Sequence, residues 1–132
     1  MKTKNILSWL LRITVAVIFL QTLFFKFTAH PDSVYIFSQL AIEPYGRIGV
    51  GIMELITSAL ILIPRTKLLG IFLSFGTIGG AIFSHFLVLG TEVKGDSGGL
   101  FTLALIVFAA CISLFILYKN EFISTISKFI KK

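Results

Sequence analysis

The sequence predicts an all-α integral membrane protein: a four-helix bundle with both termini on the cytoplasmic side and an amphipathic helix at its C-terminal end. Three observations predict it. Of 132 residues, 56% are hydrophobic and only 14% charged, with a mean hydropathy of +0.97, whereas soluble domains carry about 25% charged residues. The apolar residues gather into four runs, and since a span takes about 20 residues, four crossings with short loops occupy the chain as one domain over 1–132. The basic residues behind the net charge of +6 stand mostly at the ends of those runs rather than on one polar face. That placement suits a lipid bilayer and argues against nucleic acid as a partner. The one cysteine, Cys111, lies inside an apolar run as a small filler, and no second thiol exists for a disulfide or for dithiol exchange.

The first helix is expected over about 6–28. It exceeds a signal-peptide core in length, contains Arg12, Gln21 and Lys26, and runs into Phe27-Thr28-Ala29-His30 without a small-x-small cleavage pattern, so it reads as a retained helix. The stretch from His30 to Gly46 is polar at both ends, and its middle, Val34 to Ile42, is apolar enough to lie on the surface or to form a short interfacial helix. The second helix is expected over 47–63 and holds Glu54, after which Pro64-Arg65-Thr66-Lys67 forms a tight basic turn. The third, over 68–89, has no charged side chain and a single titratable group, His85. A polar loop with Glu92, Lys94 and Asp96 leads to the fourth helix over 100–118. No internal repeat interrupts this order.

The tail over about 120–131 is amphipathic at helical spacing. Phe122, Ile123, Ile126, Phe129 and Ile130 share one face, and Glu121, Ser124, Thr125, Lys128, Lys131 and Lys132 the other. It reads as an interfacial helix on the anionic inner leaflet, and the same pattern suits a docking helix for a cytosolic partner. Orientation follows from the basic residues. With the N-terminus inside, the inner face carries Lys2, Lys4, Arg65, Lys67, Lys119, Lys128, Lys131 and Lys132, against Lys26, Arg47 and Lys94 outside. Trp9 and Tyr118 then fall at the inner boundary, and Tyr35 and Tyr45 at the outer one, as amphipathic rings prefer.

The informative residues are those a bilayer penalises, because an ionisable group within a span faces the protein interior, usually with a partner. Counted along this topology, Lys26, Glu54 and His85 all occupy the outer half. Arg47, Gly51, Glu54 and Ser58 recur on one face of the second helix, and Gly70, Ser74, Thr77, Ala81, Ser84 and His85 line one side of the third. The expectation is a polar cluster of Lys26, Glu54 and His85 between helices one, two and three. Arg12, Gln21, Ser58 and Thr77 are secondary candidates. Bland readings stand beside it: Lys26 snorkels to the outer headgroups or pairs with Glu54, and Arg12 snorkels inward. His85 lacks a second ligand at metal spacing, so proton handling suits it better. Gly76 and Gly80 form a GxxxG spacing that would let the third helix pack closely on a second side. No nucleophile with its base, phosphate loop or haem motif is present.

Leu11-Arg12, Phe25-Lys26-Phe27, Gly49-x-Gly51-x-x-Glu54-Leu55, Leu60-Ile61-Leu62-Ile63-Pro64-Arg65 and Gly80-Ala81-Ile82-Phe83-Ser84-His85, in this order and spacing over about Leu11 to Tyr118, resemble the DoxX family of small bacterial membrane proteins. Leu23-Phe24-Phe25 replaces the glycine common before the helix-one lysine of that family, and Gly98-Gly99 is followed by Leu100-Phe101 rather than an aromatic-acidic pair. The resemblance implies a multi-pass protein of the bacterial inner membrane, an accessory or subunit of a membrane-bound, quinone-linked redox system. It implies a membrane or cytosolic redox partner protein, and leaves a homo-oligomer open. The chain carries no cofactor motif of its own, so electron transfer would run through a bound quinone or a partner subunit. A non-enzymatic scaffold or a small-solute permease is the alternative.

Overall fold

The computed structural model describes residues 2–131; Lys132, assigned above to the polar face of the tail, and the Lys2 side chain lie outside them. Regular structure among the described residues is helical, without strands: α1 (Lys2–Phe27), α2 (Pro31–Gln39), α3 (Tyr45–Leu62), α4 (Lys67–Ser84), α5 (Gly99–Leu117) and α6 (Lys119–Ile130), with a π-helical turn over His85–Leu89 continuing α4. Four stretches, Thr3–Phe27, Tyr45–Leu62, Pro64–Leu89 and Gly99–Leu117, are long and apolar enough to cross a membrane. The segment after α1 takes the helical option as α2. Pro31 sits in its first turn, where a missing N–H costs nothing, and the His30 ring accepts from the Asp32 amide at 3.2 Å.

Helix α1 packs against α3 and α5, and α4 against the same two. Val15 and Phe19 of α1, Ile61 of α3, Ile71 and Ile78 of α4, and Val107, Cys111 and Leu114 of α5 form the buried core. Large apolar side chains such as Val17, Phe72, Phe83 and Ile116 point outward instead. A bilayer removes the penalty for that exposure, because lipid tails are as apolar as the core itself.

Close helix approach occurs at Gly70, not at the GxxxG pair. A Cβ at Gly70 would lie 2.5 Å from the Ile61 Cα, whereas at Gly76, Gly79 and Gly80 it would meet nothing within 4 Å. The expectation of packing at Gly76 and Gly80 is therefore corrected. Spacing alone does not say which face a neighbour approaches, and α3, joined to α4 through the short turn at Pro64–Thr66, arrives on the Gly70 face. The pair is tight beside its turn and open further on.

Arg12 also departs from expectation. Rather than snorkelling, it is 2% exposed, donates from Nε to the Ile61 carbonyl at 2.6 Å and from Nη2 to the Leu62 carbonyl at 3.0 Å, and stacks 4.1 Å from the Trp9 ring. Thr66 donates to the Leu60 carbonyl at 2.8 Å. The last carbonyls of a helix have no partner within it. Those of α3, stopped by Pro64, find theirs in the side chains of Arg12 and Thr66. Beside this layer Ser8 is hydrogen-bonded to the Tyr118 hydroxyl, Lys4 and Lys67 lie 5.1 and 5.0 Å from the Tyr118 ring centroid, and Lys67 pairs with Glu121 of α6 at 3.5 Å. The Ile123, Ile126, Phe129 and Ile130 side chains of α6 are exposed.

Candidate functional site

The opposite end of α1, where the chain passes through α2 into α3, holds the ionisable groups. Arg47, buried on the first turns of α3, pairs with Glu43 at 2.9 Å and donates to the Lys26 carbonyl at the end of α1. It is the counterpart of Arg12: each buried arginine closes the C-terminal end of a neighbouring helix. With the α1 terminus held against α3 in this way, the Lys26 ammonium meets the Glu54 carboxylate, Nζ to Oε2, at 3.0 Å. Of the readings for Lys26, the ion pair is the one observed.

Thr22 belongs to the same group. It accepts from Lys26 Nζ at 3.0 Å, and its own proton has two acceptors in reach, Glu54 Oε2 at 3.0 Å and the Phe19 carbonyl at 2.8 Å. The sequence does carry a signal for it, since Thr22 stands one turn before Lys26 on the same face. Ser58 donates to the Glu54 backbone carbonyl at 2.7 Å and Thr77 to that of Leu73 at 2.8 Å, so both hydroxyls are spent within their own helices. Gln21 is exposed and borders the same cavity as Lys26 and Glu54.

His85 is 4% exposed and is not bonded to the Lys26–Glu54 pair. Its Nδ1 lies 2.7 Å from the Gly90 carbonyl, while the Gly90 amide donates to the His85 carbonyl at 2.8 Å, closing the π turn. Gly90 allows this with φ +73°, a backbone conformation that side chains disfavour. Since a carbonyl only accepts, Nδ1 carries a proton and is the donor in this bond. Edge-to-face contact with Phe101, centroids 5.1 Å apart, holds the ring.

Both groups border one cavity of about 850 Å³. Its walls are mainly apolar, with Phe19 of α1, Met53 of α3, Phe75 of α4 and Leu103 of α5 among them, and it extends over Gly76 and Gly80, where α4 lacks a close neighbour. Ser33 and Phe37 of α2 cover one side. Asp32 ties α2 to the loop before α5 through Lys94 at 3.2 Å, and that ammonium lies 5.3 Å from the Tyr35 ring centroid. The loop is ordered by Asp96, which accepts from the amides of Val93, Gly98 and Leu100 at 3.0, 2.8 and 3.0 Å. Slight burial works against its charge, but the three amide donors and nearby His85 outweigh it and hold the carboxyl below the usual range.

Direct pairing makes a definite thermodynamic signature. Lys26→Met or Glu54→Gln alone leaves a charge or a polar group unpaired inside the protein, at a cost of about 3 kcal/mol, and the double variant recovers at least ~1 kcal/mol of the summed loss. Unfolding in detergent micelles measures the cycle; strictly additive losses would show that the two groups do not interact.

Among the described residues no three His, Cys, Asp or Glu side chains gather as a metal site. No curated protein and no solved structure matches the chain. A family model does match, over residues 10–113, and these span α1 through most of α5, including Arg12, Lys26, Glu54 and His85. By that match the chain is a membrane protein belonging to the DoxX-like family.

Proposed function

We propose that the protein is a four-helix bundle of the bacterial inner membrane, with both termini cytoplasmic, that binds a quinone-type carrier in its cavity and serves a membrane-bound redox system as accessory or subunit. The cavity carries this reading: about 850 Å³ with largely apolar walls, and titratable side chains from α1, α3 and α4 at its border. Ligand pockets run to about 300–1,000 Å³ and combine an apolar lining with a few placed polar groups. A lipid-soluble ring with an apolar tail fits that description. Lys26 and Glu54 on one side and His85 on the other would hold the ring, while the apolar walls receive the tail and exclude water. When bound, a quinone supplies a two-electron, two-proton couple. The chain contributes position and proton-bonding groups, and a membrane or cytosolic partner supplies the electrons or takes them.

The test is extraction. Protein purified in mild detergent is expected to release a quinone at close to one per chain. Glu54→Gln and His85→Ala, checked for retained helix content by circular dichroism, lose most of it. Protein free of quinone whatever the purification would overturn the reading and leave a scaffold or a small-solute permease.

A further inference from the structure

The cavity reaches the outside of the bundle between α3 and α4. Met53 of α3 and Phe72, Gly76 and Gly80 of α4 line it there and are also exposed, Phe72 by 61%. Phe72, Gly76 and Gly80 recur at helical spacing and form one stripe along α4. The seam is closed at one end, where Gly70 meets the main chain of Ile61, and open from Gly76 on, where an added Cβ would meet nothing within 4 Å. Both helices belong to stretches that span the membrane, Tyr45–Leu62 and Pro64–Leu89, and Met53 and Gly76 stand near their middles. The mouth therefore opens on hydrocarbon rather than on water. Gln21 and Phe25 are exposed lining residues on the α1 side, but two long side chains form the border there, whereas at Gly76 and Gly80 it is bare main chain. The polar border lies away from the mouth: along α4, His85 stands about 13 Å of helix rise beyond Gly76, toward the end covered by α2.

We infer that the ligand of this cavity is a membrane-dissolved amphiphile that lies with its ring at the polar border and its tail through the α3–α4 mouth, over Gly76 and Gly80, into the surrounding lipid. The inference rests on the quinone-type reading above for the ring and adds the course of the tail and the kind of tail admitted. The cavity has the polarity of one bilayer leaflet: its ionisable groups gather at one end of the helices, and its apolar mouth lies near the middle of two spans. An amphiphile already oriented in that leaflet enters sideways, without crossing water. Its tail exchanges lipid neighbours for Met53 and Phe72 at little cost, because lipid tails are as apolar as those side chains. Since the tail continues into lipid, the mouth sets no upper limit on its length. Gly76 and Gly80 keep the path open, and a bulky side chain at either position obstructs it.

A benzoquinone with a decyl tail that carries a diazirine near the ring, and the same ring without a tail, test this in protein reconstituted into lipid nanodiscs. On irradiation the tailed probe is expected to label the peptides that hold Met53, Phe72 or Gly76, and excess unmodified decyl-benzoquinone suppresses the labelling. Gly76→Trp and Gly80→Trp lower affinity for the tailed compound at least about tenfold, the low end of what a steric misfit costs, while the tailless ring binds as it does to wild type. Gly49→Trp, on an exposed position of α3 that does not line the cavity, leaves both compounds unchanged. Label on α1 near Gln21 and Phe25 overturns the course of the tail and leaves the quinone-type reading standing. Undiminished binding of the tailed compound to the cavity variants, or equal loss of both compounds, does the same. Failure of the tailed compound to bind wild-type protein overturns both.

Discussion

Gly70→Ala is expected to destabilise the protein by about 3 kcal/mol, at the upper end of the range for overpacking a well-filled core. The added methyl group would lie 2.5 Å from the Ile61 Cα and 2.8 Å from the Leu60 carbonyl carbon, so the obstacle is main chain and no side-chain rotation relieves it. Helix α4 would have to move away from α3 at the point where the Pro64–Thr66 turn holds them together. Gly79→Ala in the same helix supplies the contrast. Nothing lies within 4 Å of a Cβ there, so the change is close to neutral or slightly stabilising, by up to ~1 kcal/mol of helix propensity. Thermal or denaturant unfolding of the two variants in one detergent separates them, and equal stabilities would mean that α3 and α4 do not approach at Gly70.

Arg12→Met comes next in expected effect, with a loss of about 2–4 kcal/mol. Two carbonyls at the end of α3 lose their donors, each costing ~1–3 kcal/mol when left unmet, and part is returned because a buried cation no longer needs to be desolvated. Arg12→Lys restores the charge without the planar fork that reaches both Ile61 and Leu62, so it recovers only a fraction. A side chain that merely reached for headgroups would tolerate Met with little loss. Indistinguishable unfolding of wild type and Arg12→Met would return the residue to that role.

These variants also mark where the sequence was informative. The apolar runs end at Pro64, at Gly90 and at basic residues, punctuation with a direct physical meaning, and the expected helices over 6–28, 47–63, 68–89 and 100–118 lie within a few residues of α1, α3, α4 with its π turn, and α5. The stripe of Arg47, Gly51, Glu54 and Ser58 is buried, as helical periodicity indicates. Arg12 was harder to read because its partners are backbone carbonyls, which every residue possesses and no pattern displays. Gly70 stood on the stripe of small and hydroxyl-bearing residues of the third helix, and α3 approaches there, while the GxxxG pair of Gly76 and Gly80 meets no neighbour. His85 shared depth with Lys26 and Glu54, but the carbonyl that orients its ring belongs to Gly90, placed there by a π turn that composition does not foreshadow. Periodicity locates faces and depths; which atoms meet depends on how helix ends are closed.

The stack of Trp9 on Arg12 has a spectroscopic consequence. Trp9 is the chain's single tryptophan, so all indole emission originates beside the Arg12 guanidinium, at the end of α1 remote from Lys26. Its emission therefore reports on the end of α1 where Arg12 closes α3, with no label added to the chain.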